Sequence, residues 1–161
     1  TPEQIAQSRS VMESGAHDAG RDPDTLKMSM YIRVCIDDDV AAARRAFAAQ
    51  VLGYALVPPG GDRALAYRGL FTRMGFDEPL RTLESRRDRG APIAELVDET
   101  PEALLHAVGY YGAPEGAAKR FAELAVGLDE AVVRVITTSP SPDKVRLALD
   151  TLSPEEIRRF A

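Results

Sequence analysis

The sequence predicts a helix-rich α/β domain with about two parallel strands, near 27–36 and 130–137, joined through helices. Three observations carry this. LKMSMYIRVCI, residues 26–36, alternates Met28, Met30, Ile32, Val34 and Ile36 with Ser29, Tyr31, Arg33 and Cys35, the period of two that a half-buried strand requires. GAPEGAAKRFAELAVGLDEAVVRVITT, residues 112–138, reads as a helix entered at Pro114, closed at Gly127 and continued by an apolar strand. Nearly everything between has helical spacing, and strands separated by helical crossovers pair in parallel.

The elements follow in order. PEQIAQSRSVMESGAHDAG predicts a helix with Thr1 as N-cap, Pro2 in the first turn, Ile5, Met12, Ala16 and Ala19 on one face, and Gly20 as terminator. RDPDT supplies a turn before the first strand. Asp37, Asp38 and Asp39 then precede the alanine-rich VAAARRAFAAQVLGYALV, where acids suit an N-cap and the helix dipole. A metal role for this triplet would need further ligands, and the sequence offers no calcium-loop pattern.

PPGGD breaks the chain at 58–62. A helical insertion over about 58–111 follows, in which Leu65, Leu70, Phe71 and Met74 form one apolar side before Gly75, DEPLRTLESRRDRG is polar, and APIAELVDE and TPEALLHAVGYYG continue as helix. PSPDKVRLALDTL and SPEEIRRF predict two short closing helices, each entered through Ser and Pro. No repeat, linker or composition shift divides the 161 residues, so a single domain is expected. Two parallel strands alone make a poor sheet, so this pair calls for further strands.

With 45% hydrophobic and 28% charged residues the chain has the composition of a folded globular domain. Its net charge of -5 opposes capture by a phosphate backbone, which argues against nucleic acid as a partner. The lone Cys35 and the absence of metal-type Cys or His spacing fit a reducing cytoplasm and no metal site. No apolar run approaches a membrane span, and TPEQIAQSRS lacks the order of a signal peptide. Thr1 in place of Met is read as a processed or proteolysed end.

Three stretches resemble the C-terminal half of the luciferase-like monooxygenase family, the flavin- or F420-dependent enzymes built on a TIM (β/α)8 barrel. They are AHDAGRDPDTLKMSMYIRVCIDDDVAAAR, YRGLFTRMGF and GAPEGAAKRFAELAVGLDEAVV. The resemblance implies that the two strands are the last of eight and that the chain is the C-terminal portion of an oxidoreductase acting on a small organic substrate. It implies F420 or FMN in the parent enzyme, held mainly by strands absent from this chain, so that these residues bind no cofactor and catalyse nothing alone. One departure stands out: the family often has Thr or Ser before the Pro of the third stretch, where this chain has Ala113, and Gly116 weakens the same first helical turn.

In a TIM barrel the functional groups sit at the C-terminal ends of the strands and in the loops beyond. That rule selects Cys35 and Asp37 after the first strand, and Thr137 and Thr138 after the second. The two threonines with Ser139 suit either an anion at a helix start or plain capping. Cys35 has no His partner to activate it and reads as a buried thiol on the polar strand face. Tyr67 and Tyr110, with Tyr54, Phe71, Phe76 and Tyr111, are candidates for an aromatic wall over a planar substrate, or for ordinary core. His17 and His106 belong to no triad-like arrangement, and no glycine-rich nucleotide loop is present. No catalytic residue is therefore assigned. The competing expectation is a complete non-enzymatic helical binding or oligomerisation domain, and exposed strand edges also suggest a homodimer.

Overall fold

The computed structural model describes residues 1–160. The chain runs through α1 (Pro2–Asp18), β1 (Ser29–Ile36), α2 (Val40–Ala55), α3 (Ala66–Arg73), α4 (Asp77–Asp88), α5 (Ile93–Asp98), α6 (Glu102–Val108), β2 (Gly109–Gly112), α7 (Pro114–Ala125), β3 (Glu130–Ile136), α8 (Pro142–Thr151) and α9 (Pro154–Arg158). This is the expected helix-rich α/β architecture with parallel strands, and both predicted strands lie where the alternation placed them.

Local chemistry explains several of the ends. Thr1 caps α1 through a capping box with Gln4, satisfying amides that the first helical turn leaves free. Asp39 alone of the acidic triplet caps α2, accepting from the Ala42 amide at 3.0 Å. Helix α7 has Ala113 at its N-cap position and so no side-chain cap, as the departure from the family pattern implied.

One expectation is corrected. The helical insertion does not run through residue 111: it ends at Val108, and GYYG is a third strand, β2, paired in parallel with Arg33–Ile36 of β1. The first residue of β2 is glycine because two groups crowd it. A Cβ on Gly109 would lie 2.6 Å from the ring of Phe47 and closer still to the carbonyl oxygen of Arg33. Leu65, expected on the apolar side of its helix, is instead exposed, and Arg68 is buried in that layer.

The sheet order is β2-β1-β3, with β1 central and both neighbours parallel to it. A (β/α)8 barrel keeps consecutive strands adjacent and its helices outside. Here β3 lies on the far side of β1 from β2 and helices pack on both faces of the three strands, a parallel sheet consistent with part of such a barrel but not itself closed. Ile32, Val34 and Ile36 face Ala117, Phe121, Leu124 and Ala148 of α7 and α8. Cys35, Tyr111 and Ile136 face the other layer, built on Phe47, Val51 and Leu52 of α2 and extended by Phe71, Leu80, Leu96 and Leu105.

The insertion is tied together by buried charge. Arg68 is 1% exposed and Glu84 0%, and the Arg68 guanidinium donates to Glu84 at 2.9 Å, to Asp77 at 2.9 Å and to Thr72. Arg63 reaches the second Glu84 oxygen at 2.5 Å. Burial opposes the charge on Glu84, yet the hydrogen bonds from Arg63 and Arg68 outweigh it and hold its carboxyl below the usual range.

Candidate functional site

Two places collect the residues that carry chemistry. The first is the rim at the C-terminal ends of the strands. Asp37 follows β1 directly; its amide donates to the Gly112 carbonyl at 2.9 Å, which fixes the turn against the end of β2. Its carboxylate, 5% exposed, accepts from the Thr138 hydroxyl at 2.5 Å, from the Lys144 ammonium at 2.7 Å and from the Asp39 amide at 3.1 Å. The Lys144 ammonium and the Thr138 hydroxyl, set against the cost of burial, hold the Asp37 carboxyl down to about 2. This cluster joins the loop after β1, the loop after β3 and helix α8 into one unit.

Of the residues expected at the rim, the structure thus brings Asp37 and Thr138 into contact. Because Thr138 donates to a carboxylate, that loop presents its hydroxyl to a negative charge and is poorly suited to an anion. Thr137 is half-buried and makes no side-chain hydrogen bond among the described residues. Cys35 is wholly buried against the α2 layer, and burial with the nearby Asp37 charge pushes its thiol up to about 11, so the nucleophilic thiolate is suppressed.

Tyr110 and Tyr111 point to opposite faces of the sheet, as successive strand residues must. The Tyr110 hydroxyl donates to the Ala113 carbonyl at 2.5 Å, and its ring lies over the first turn of α7. A Cβ on Gly116 would sit 3.0 Å from that hydroxyl, which explains the glycine there. Tyr111 packs on Phe47 and gives its hydroxyl to Glu102, while His106 stacks on its other side at 5.3 Å and stays exposed. These two tyrosines therefore serve packing on separate layers.

The second place is a groove of about 630 Å³ along the free edge of β1. Strand β2 is only four residues long and pairs from Arg33 onward, so Met28 to Ile32 have no neighbour on that side. The groove fills this gap and opens onto the α2 face of the sheet, where Tyr54, Tyr67 and Phe71 form a wall. Tyr67 lies 4.9 Å from Tyr54 and 6.3 Å from Phe71, ring centroid to ring centroid. Three of the aromatics expected to form a wall do so here, and the other three lie elsewhere.

Sequence reasoning missed the groove's charges. Arg33 of β1 and Arg134 of β3 are Cα partners, so both side chains leave the same face of the sheet side by side. The guanidinium carbon of Arg33 sits 4.5 Å from the centre of the Tyr54 ring, a cation–π contact. The Tyr54 hydroxyl is buried and has no hydrogen-bond partner among the described residues. Lys144 was also missed. Only the strand register exposes the arginine pair, and only the packing of α8 exposes Lys144. Among the described residues no cluster of His, Cys, Asp and Glu could hold a metal ion, and no helix is long and apolar enough to cross a membrane.

Residues 1–130 of the chain match a family model described as luciferase-like monooxygenase. No curated protein matches it.

Proposed function

The chain belongs to the luciferase-like monooxygenase family, and from that premise we propose that it is the C-terminal portion of a flavin- or F420-dependent oxidoreductase acting on a small organic substrate. The observation that carries this division of labour is the state of the strand ends. Parallel α/β folds bind cofactors beyond the C-terminal ends of their strands. In this chain the polar groups at that end are engaged with one another: Asp37 with Thr138 and Lys144, and Tyr110 with Ala113.

The residues at this rim therefore do not fit a flavin or deazaflavin by themselves, and no step of hydride transfer or oxygen activation is assigned to them. Cofactor contacts come, in this reading, from further strands that pair at the free edges of the sheet. The outer edges of β2 and β3 are unpaired, which supports such an addition.

The test is a titration of FMN and of F420, followed by cofactor fluorescence, against this chain and against the product of the whole reading frame that encodes it. Binding and substrate-dependent cofactor turnover by the whole product, with neither by this chain alone, is the expected result. Micromolar binding by this chain alone would refute the division of labour. A whole product that binds and turns over neither cofactor would refute the oxidoreductase assignment.

A further inference from the structure

The face of the sheet toward α2 carries four matched pairs from β1 and β3: Ser29 with Glu130, Tyr31 with Val132, Arg33 with Arg134, and Cys35 with Ile136. The last pair is under the α2 core, while Tyr31 is 62% and Val132 40% exposed. Between covered and open halves stand two arginines. Like charges directly opposite each other on neighbouring strands destabilise a sheet, and among the described residues only the ring of Tyr54, under the Arg33 guanidinium, offsets the charge of this pair. Neither arginine makes an ion pair among the described residues, in contrast with Arg44, Arg63 and Arg68, each held by a carboxylate.

The surroundings sharpen the point. The chain has a net charge of -5, yet no Asp or Glu lines the groove, and the only charged side chains lining it are Arg33 and Arg134. The carboxylate on the same sheet face, Glu130, is four residues up the strand from Arg134, roughly 13 Å away, and is engaged by the Ser29 hydroxyl at 2.8 Å. The ring of Tyr54 lies beneath the Arg33 guanidinium, and its hydroxyl is buried without a partner among the described residues. A buried polar group without a partner costs about 1–3 kcal/mol, so this too is a contact left open.

We propose that the groove is an oxyanion site, in which Arg33 and Arg134 together bind a dianionic group of the phosphate-monoester class carried on a small aromatic molecule. Two guanidinium forks supply the charge and the paired donors that such a group takes up best. The Tyr54 hydroxyl donates to the same group. The aromatic body of the ligand lies against Tyr67 and Phe71, in a groove whose volume is within the range of small-molecule sites. This assignment is independent of the oxidoreductase reading, since it concerns this chain alone and a face of the sheet away from the C-terminal rim.

The chain contains no tryptophan and five tyrosines, so its intrinsic emission reports on tyrosine, and three of them, Tyr31, Tyr54 and Tyr67, line the groove. Phenyl phosphate titrated into the chain at low salt should change that emission saturably and raise the thermal midpoint. R33Q and R134Q should each weaken the binding at least tenfold, and Y54F a few-fold, with the far-UV spectrum unchanged. Because Arg134 is exposed, R134Q folds whatever becomes of R33Q. Without ligand it should melt at a higher temperature than the wild type, since one of two apposed like charges is gone. Absence of saturable binding, or equal affinity in wild type and R134Q, overturns the site. Benzoate binding as tightly as phenyl phosphate overturns the dianion assignment, and phenol binding as tightly as either overturns the role of charge.

Discussion

Replacing Asp37 by Asn should weaken the fold by about 2 kcal/mol at neutral pH, and the loss should fade in acid. The carboxyl titrates at about 2 in the folded chain, against an ordinary value of 3.8. A difference of that size corresponds to roughly 2.5 kcal/mol at about 1.4 kcal/mol per unit. Lys144, the main partner, is one-third exposed, and solvent screening there trims the figure to about 2 kcal/mol. Because the folded-state pKa is depressed, this stability is present in full well above 3.8 and is lost as pH falls toward 2; about half should remain at pH 3. Urea unfolding of the wild type and D37N at pH 7, 5, 4 and 3 measures the gap at each point. A thermal scan at pH 7 should show a midpoint lower by roughly 4–8 °C. A gap below about 0.5 kcal/mol at pH 7, or one that does not narrow between pH 5 and pH 3, would refute the assignment of Asp37 as an ion-paired keystone.

Two further predictions follow from buried groups. R68M leaves Glu84 buried with only Arg63 and the Val57 amide as partners, so it should cost about 3–5 kcal/mol in urea unfolding, and adding E84Q should recover part of that loss. The thiol of Cys35 should resist Ellman's reagent at pH 8 in the native chain and react at once in denaturing urea; rapid reaction of the native chain would contradict its burial.

Local periodicity made the main elements legible. The Met28-to-Ile36 alternation located β1, and Pro114 and the apolar EAVVRVI located α7 and β3. Thr1 as a cap, the Ser-Pro entries to α8 and α9, and the helical character of the insertion were equally visible because each depends on neighbours in sequence. Strand β2 was not visible: four residues with glycine at each end give no alternation, and Gly109 is there because Phe47 and the Arg33 carbonyl, distant in sequence, leave no room for a side chain. The place of β3 beside β1 is a tertiary choice that no local signal encodes.

The same division holds for the sites. The strand-end rule pointed to Asp37 and Thr138, and these two do meet, but Lys144 joins them only because α8 packs over the loop after β1. Arg33 read only as one residue of the polar face of its strand and Arg134 drew no notice, because the register alone puts them opposite one another. Tyr67 was named as part of a wall without its position over the groove being deducible.

The sheet order also sets the order of events during synthesis. Strand β1 finds its longest partner in β3, and the Ser29 and Glu130 that begin the pairing are 101 residues apart. At about 5–20 residues per second, the ribosome delivers β3 some 5–20 s after β1. During that interval one whole edge of the central strand has no mate, and the pairing that ends it closes a long loop, a topology that folds slowly. That edge of the central strand thus stays bare until the hundred or so residues that separate the two strands have been made.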